Sequence, residues 1–419
     1  MSGVVAQDHE PGPGGATVPT VTLADVRSAA ELLDGVVERT PVQRSRALSE
    51  SVGAPVWLKC ENLQRAGSFK SRGAYVRIAR LSPQERARGV VAASAGNHAQ
   101  GVALAAGTLG IDAVVFMPAD AALPKVAATR DYGAHVELVG TSVDDALAAA
   151  QAYAEQTGAV LIHPFDHPDV VAGQGTVALE ILEQVPDVRT VVVPVGGGGL
   201  AAGVAAALAE AAPHVRVVGV QAARAAAYPA SLLAGRPVAA PELRTMADGI
   251  AVGMPGDVPF DLLRRHRTQI RTVTEEDLSR ALLLVAERAK LLVEPAGAAG
   301  VAALMADPHG VEGPVVAVLS GGNVDPLVLM RVVRHGLASA GRFLQLSVLL
   351  DDTPGALAAL LGELADAGGN VMHISHVRTG EDLAFDEVAI DVQVETKGPE
   401  HCVALLHRLR VAGYRLADR

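Results

Sequence analysis

TVVVPV-GGGG-LAAGVAAALAEAA (190–212) is the stretch on which the reading of the fold turns. A β-branched run ends in four glycines and passes directly into an Ala-rich helical pattern. Continuous apolar runs without alternation are how strands buried on both faces read. Glycines let the backbone turn tightly while its N–H groups converge, and the following helix adds roughly +0.5 charge at its N-terminus. Such a junction suits a phosphate. Two rival readings share it. One is a tight strand-to-helix turn with no ligand. The other is a dinucleotide fold, because Gly196, Gly198 and Ala201 satisfy G-x-G-x-x-G/A. That fold wants an acidic residue about 20 residues later, whereas the next strand here ends at Gln221. A Walker lysine is missing, which excludes a P-loop nucleoside triphosphatase.

The same alternation extends outward from this junction. GVVAASA (89–95), AVVFMP (113–118), VRVVGVQ (215–221) and PVVAVLS (314–320) read as buried strands. Between them lie helical patterns such as TEEDLSRALLLVAERAKLL (274–292), apolar at 278, 282, 285 and 289. Strands alternating with helices from about 21 to 335 imply βαβ crossovers and parallel sheets, an α/β fold. The pattern changes near 343. FLQLSVLL (343–350), a helix across DDTPGALAALLGELADAGG (351–369), strand-like NVMHISHVR (370–378) and FDEVAIDVQVE (385–395), a helix at 400–413 and a final YRLAD spell βαββαβ. That is the ferredoxin-like arrangement, expected as a separate C-terminal domain at 343–419. Residues 1–20, rich in Gly, Pro and small polar residues, read as a disordered tail.

Composition narrows the function classes. With 419 residues, the chain suggests two to three folding units. Lys plus Arg is 35 and Asp plus Glu 46, a net charge of −11, and aromatics are only 3%. A nucleic-acid partner is therefore not expected, since neither a basic face nor base-stacking platforms are available. No apolar run approaches the ~18 residues of a membrane span. The N-terminus has no basic or apolar signal region, and Cys60 and Cys402 form no disulfide framework or zinc motif, so the expected location is the reducing cytoplasm. Only five lysines occur, Lys59, Lys70, Lys125, Lys290 and Lys397, which draws attention to any lysine in an unusual setting.

Three further motifs carry chemistry. In GSFKSRGA (67–74), Lys70 falls at an apparent helix start, where the helix dipole and burial both lower an amine's pKa. A neutral amine can form a Schiff base; a solvated first-turn lysine would look the same. In VVAASAGNHAQGVALAAGTLG (90–110), Ser94, Gly96, Asn97 and His98 place hydroxyl, amide and backbone donors at a helix start, suited to a carboxylate or to simple capping. In VLSGGN (318–323), Ser320 and Asn323 stand at a strand end, the edge where open α/β sheets bind ligands. An imine-forming lysine, a phosphate cradle, a carboxylate loop and a neutral hydroxyl together suit pyridoxal phosphate with an amino-acid substrate.

GSFKSRGA, SAGNHAQG, AGQGT (172–176), GGGGL (196–200), ADGIAVG (247–253), EPAGA (294–298) and SGGN (320–323) occur in the order found in threonine dehydratases. Residues 21–335 therefore resemble the fold-type II pyridoxal-phosphate enzymes, and more closely the threonine ammonia-lyases. Residues 343–419 resemble an ACT domain, an amino-acid-sensing module, through DDTPGALAALL and the turn at Gly369-Asn370-Val371. The resemblance implies a core of two open twisted α/β subdomains, the smaller (about 66–165) inserted in the larger. It makes Lys70 the lysine that carries the cofactor and the base that takes the substrate Cα proton. Phe69 would flank the ring, Asn97 would bond the 3′-oxygen, and the backbone of Gly196, Gly197, Gly198, Gly199 and Leu200 would hold the phosphate. Ser320 would meet the pyridine nitrogen as a neutral hydroxyl, which suits β-elimination over transamination. Ser94, Gly96, Asn97 and His98 would hold the substrate carboxylate. The implied activity is a carbon–nitrogen lyase turning L-threonine into 2-oxobutanoate and ammonia, as in the first step of isoleucine biosynthesis.

Two departures qualify the resemblance. Serine racemases carry a second serine where this chain has Ala95, so racemisation is expected to be weak. Their divalent-metal loop reads QAARAAA (221–227) here, with no carboxylate, so no dedicated Mg²⁺ site is expected, while a monovalent cation on backbone carbonyls stays open. Alternatives are an L-serine dehydratase or racemase-like enzyme, one substrate methyl away, and, more distantly, a non-catalytic amino-acid sensor. In the ACT-like region Asp351, Asp352, Gly355, Leu357 and Asn370 are the candidate contacts for an effector such as isoleucine or valine, with a ligand-free dimerisation sheet as the rival reading. The family implies a homo-oligomer, commonly a tetramer.

Overall fold

The computed structural model describes residues 19–378 and 383–417. Of the expected tail, residues 1–18 lie outside the described residues. The strands in chain order are β1 (Val42–Arg44), β2 (Val56–Lys59), β3 (Val90–Ala93), β4 (Ala113–Met117), β5 (His135–Leu138) and β6 (Val160–Leu161). They continue with β7 (Thr190–Pro194), β8 (Arg216–Ala222), β9 (Gln269–Val273) and β10 (Val315–Val318). The last four are β11 (Phe343–Asp351), β12 (Asn370–Val377), β13 (Glu387–Glu395) and β14 (Arg415–Leu416).

Three sheets result. A six-stranded sheet has the order β1-β2-β10-β7-β8-β9, parallel except for the β1 edge, and a four-stranded parallel sheet has the order β5-β4-β3-β6. The strands of the second sheet fall between β2 and β7 of the first, so the smaller α/β layer is inserted within the larger. β3, β7 and β10 are buried along their whole length, as their Val/Ala runs require when helices cover both faces. The third sheet, β12-β13-β11-β14, is antiparallel throughout and carries two helices, Ala356–Asp366 and Pro399–Val411. This is the expected ferredoxin-like βαββαβ order.

Small residues set the helix packing in the large layer. The helix Pro168–Gln184 lies between the helices Lys70–Ala79 and Gly199–Ala211. A Cβ on Gly173 would stand 2.7 Å from the Gly73 Cα, and one on Gly203 would stand 2.3 Å from the Val171 carbonyl oxygen. AGQGT (172–176) is thus a contact surface between backbones.

One expectation needs adjustment. The pattern at 274–292 gives a helix over Glu275–Leu284, a single π-turn at Val285–Ala289, and a left-handed Lys290 (φ 61°) that ends it. Leu278, Leu282, Val285 and Ala289 are all buried as the spacing requires; only the last turn is wider than an α-helix. The helix Pro326–Ser339 runs four residues beyond 335 and buries Val332 in the core of the large layer.

Gly203→Ala should place a methyl group against unyielding backbone and destabilise the protein by about 1–3 kcal/mol. Gly362→Ala, in a helix with open space around its Cα, should leave stability unchanged or raised by under about 1 kcal/mol. The urea unfolding midpoints of the two variants check this.

Candidate active site

Parallel neighbours send their C-terminal loops to the same edge, and the site is built from those loops. β2 and β10 are adjacent, so the loop entering Lys70 lies beside SGGN: Phe69 N–H donates to the Ser320 carbonyl (3.2 Å) and Gly322 N–H to the Gly67 carbonyl (2.9 Å). In the small sheet, β4, β3 and β6 are adjacent and deliver three loops: the one leading to Lys125, the Ser94–Asn97 loop, and Ile162–Asp166.

Side chains then tie the two layers together. Asn323 Nδ2 donates to the Ala66 carbonyl (2.7 Å) and to Asn97 Oδ1 (2.9 Å). Asn97 Nδ2 donates to Glu294 Oε1 (2.7 Å), and Glu294 N–H donates to the Gly321 carbonyl (3.0 Å). Lys70 Nζ donates to the Pro164 carbonyl (3.0 Å) and stands 5.2 Å from the centre of the Phe69 ring. Phe165, next in sequence, packs against the glycine turn so closely that a Cβ on Gly197 would fall 2.4 Å from its ring. Lys70, Phe69, Asn97, Ser320 and Gly196–Leu200 are thereby linked through shared contacts.

The helix beginning at Lys70 is held from beneath by a buried group of two cations and two carboxylates. Arg72 donates to both oxygens of Glu61 (2.8 Å each) and to Glu180 (2.6 Å), and Lys59 also pairs with Glu180. Burial alone would raise the Glu61 carboxyl, but Arg72 and Lys59 hold it below the ordinary carboxylate range.

Electrostatics at the cleft favour neutral groups. Lys70 keeps some exposed surface, but protein packed round its amine excludes the water that would stabilise an ammonium. Burial lowers it to about 8, with Glu294 acting in the opposite sense. Glu294 is pushed up to about 8 by burial and by Asp248. His98 is lowered to about 3 by burial and by Lys70. Its Nε2 lies 2.8 Å from the Ile162 carbonyl. The imidazole is therefore committed to the protein interior, and the group His98 brings to the helix start is its backbone N–H. Ser94 Oγ accepts from Gly96 N–H (3.1 Å).

Helix starts differ according to place. The helices at 23–33, 83–87, 143–157 and 275–284 each begin with a Ser/Thr–Asp/Glu capping box. The helices Asn97–Leu109 and Gly199–Ala211 have glycine N-caps, no capping side chain and no acid in the first turn. Their first amides are orphan donors at a positive dipole end. Gly198 holds φ 102°, and a Cβ there would collide with the Tyr228 hydroxyl. The second helix fits a phosphate group and the first a carboxylate. With a near-neutral lysine beside them, the residues present fit pyridoxal phosphate.

In the C-terminal sheet a cavity of about 330 Å³ is lined by Asp351, Asp352, Thr353, Leu357, His376 and Arg378, among others. Arg378 donates to Asp352 (3.1 and 3.4 Å), a hydrogen-bonded pairing that lowers the Asp352 carboxyl. Of the expected effector contacts, Gly355 caps the adjoining helix without lining the cavity. Asn370 is not brought there. It bonds Glu395 (3.1 Å), at the end of β13 opposite Glu387, which pairs with Asp351. Eight residues of strand put roughly 27 Å between them.

Glu294, the Ile162–Asp166 loop and Arg378 are parts that the sequence reading did not single out. Glu294 lies within the motif EPAGA, and Arg378 ends the strand-like stretch NVMHISHVR. Among the described residues, no group of three or more His, Cys, Asp or Glu could hold a metal ion, and no helix is long and apolar enough to cross a membrane.

Comparison with known proteins agrees with this geometry. The pyridoxal-phosphate dependent enzyme family matches residues 33–321 and the ACT domain family residues 344–410. An L-threonine ammonia-lyase of Thermotoga maritima is 46% identical over 397 residues, 94% of this chain and 99% of that protein. Among solved structures, a threonine deaminase isoform from Solanum lycopersicum superposes with a TM-score of 0.71 at 34% identity, covering 78% of this chain and 98% of its own. Maize serine racemase gives 0.72 at 35% identity, covering 76% and 99%.

The Lys70 pKa has a direct readout. A group lowered to about 8 is increasingly neutral as pH rises through that value, so in cofactor-free protein acylation of Lys70 should be half-maximal near pH 8 and then level off. Site-resolved labelling by mass spectrometry checks this; a rate still climbing near pH 10 would contradict it.

Proposed function

The chain belongs to the pyridoxal-phosphate dependent enzyme family and ends in an ACT domain, and from that premise we propose that it deaminates L-threonine to 2-oxobutanoate and ammonia under control of an amino acid. The observation that carries the substrate is the 46% identity, over 94% of the chain, to an L-threonine ammonia-lyase. The catalytic unit is assigned to 21–335 with a smaller part at about 66–165, and the regulatory unit to 343–419.

Bound pyridoxal phosphate supplies an electron-withdrawing ring that acidifies the substrate Cα proton. The rest falls to the chain. First-turn amides of Gly199–Ala211 hold the phosphate, Phe69 flanks the ring, Asn97 Nδ2 bonds its oxygen, and Ser320 meets its nitrogen. Ser94, Gly96, Asn97 and the His98 backbone hold the substrate carboxylate. Lys70, whose depressed pKa leaves a usable fraction of free amine near neutrality, removes the Cα proton. Loss of the β-hydroxyl as water, then hydrolysis, gives 2-oxobutanoate and ammonia. Ala95 offers no hydroxyl for returning a proton to the opposite face, which supports elimination over racemisation.

Regulation is assigned to the ACT cavity, with isoleucine or valine as effector, the role in isoleucine synthesis following from that feedback. The assembly is taken as a homotetramer, in the cytoplasm.

The direct assay is 2-oxobutanoate formation from L-threonine, with L-serine in parallel and with or without isoleucine. Faster turnover of L-serine would reassign the substrate. Lys70→Ala should lower kcat by at least about 10²–10⁴-fold, the range for loss of a general base. A chain ending at Ala340 should retain activity and lose the isoleucine response; a truncated enzyme that stays equally responsive would remove the regulatory assignment.

A further inference from the structure

We propose that Lys125 binds the carboxylate of the amino-acid substrate, exchanging its ion pair with Asp248 for that group at the Ser94–Asn97 loop. This rests on the reading that the substrate is an amino acid.

Lys125 lies in the first turn of the helix Leu123–Asp131, in the small layer; Asp248 lies in the short turn Asp248–Ile250 of the large layer. Their pairing, Nζ to Oδ2 at 2.8 Å, crosses the cleft. The Lys125 side chain is 17% exposed while that of Asp248 is 62% exposed. The lysine therefore belongs to the cleft wall and its partner to solvent. An ion pair with so exposed a carboxylate contributes little, so a second carboxylate can displace it.

Placement identifies that second carboxylate. β3 and β4 are parallel neighbours, and their loops bring Lys125 beside Gly96. A Cβ built on Gly96 meets one atom within 4 Å, the Lys125 Nζ at 3.8 Å. The position a Gly96 side chain would take, at the uncapped start of the helix Asn97–Leu109, is thus open apart from an ammonium. An anion seated on those amides lies within reach of that ammonium, and both favour the same sign of charge. Lys125 and Asp248 also act in opposite senses on the Glu294 carboxyl, which puts both charges within electrostatic reach of the cleft floor. Two other lysines outside the mechanism have fixed partners elsewhere: Lys59 lies in the buried charge group, and Lys290 bonds the Glu287 carbonyl (2.7 Å).

The test compares wild-type holoenzyme with Lys125→Met, Lys125→Arg and Asp248→Asn. KM and kcat for L-threonine are measured beside the dissociation constant of L-alanine, which has no leaving group, read from the cofactor absorbance. L-Alanine methyl ester, lacking the carboxylate charge, is the control. Lys125→Met should raise the threonine KM and the alanine Kd by about 10–100-fold, as for loss of a hydrogen bond between charged groups. kcat and melting temperature should stay close to wild type, and ester binding should be unaffected. Lys125→Arg should recover most of the loss, and Asp248→Asn should tighten alanine binding. Unchanged alanine binding in Lys125→Met, an equal loss for acid and ester, or Asp248→Asn weakening alanine as much as Lys125→Met would overturn the proposal. Wild-type enzyme that forms no 2-oxobutanoate would instead overturn the threonine assignment, while the alanine titration still decides the role of Lys125.

Discussion

Contact between three helices through glycine fixes everything at the cleft. Gly73 meets Gly173, and Gly175 meets Gly203, at distances where any side chain would strike backbone. The lysine-bearing helix and the helix that opens with four glycines are thus both seated on Pro168–Gln184. Backbone cannot rotate out of the way as a side chain can, and close-packed interiors transmit such contacts without slack. The relative position of the Lys70 backbone and the first-turn amides of Gly199–Ala211 follows from main-chain contact, and the side chain then carries the amine to the Pro164 carbonyl.

Charge is handled differently above and below that contact. Beneath Lys70, four ionised groups sum to zero and satisfy one another inside protein, anchoring the helix through Arg72. Beside Lys70, burial works against both charged forms, so the amine and the Glu294 carboxyl are both near their midpoints in the neutral-to-alkaline range. A buried pair must be well bonded to remain ionised. The group of four beneath meets that requirement and is structural. The pair of Lys70 and Glu294 does not, and retains groups able to take up or release a proton.

Most of the architecture was legible because it rests on local pattern. Continuous Val/Ala runs fell where β3, β4, β7, β8 and β10 stand, and the stretch 351–369 bracketed the ACT helix Ala356–Asp366. The candidate residues at strand ends were legible for the same reason. What sequence hid depends on contacts between distant segments. Asn97 meets Asn323 and Glu294 across about 200 residues, and no local rule points to those partners. His98 sits among donors by position, yet its ring turns to Ile162 because the small sheet puts β6 beside β3. Asn370 follows the ACT helix in sequence, but β12 runs antiparallel to β13 and starts at the far end of it. The π-turn at 285–289 kept the apolar spacing of an α-helix, so periodicity could not reveal it.

The joint between the two assemblies is short. Three residues separate the helix Pro326–Ser339 from β11, and the middle one, Gly341, has its carbonyl bonded by Thr396 Oγ1 (2.6 Å) and approached by Cys402 Sγ (3.1 Å). Arg342 pairs with Glu287 in the π-turn. A flexible string between domains stores displacement as entropy and passes on little of it. This joint is pinned on both sides, by Thr396 and Cys402 at Gly341 and by Glu287 at Arg342, so it has the contacts of a stiff hinge rather than of a free linker.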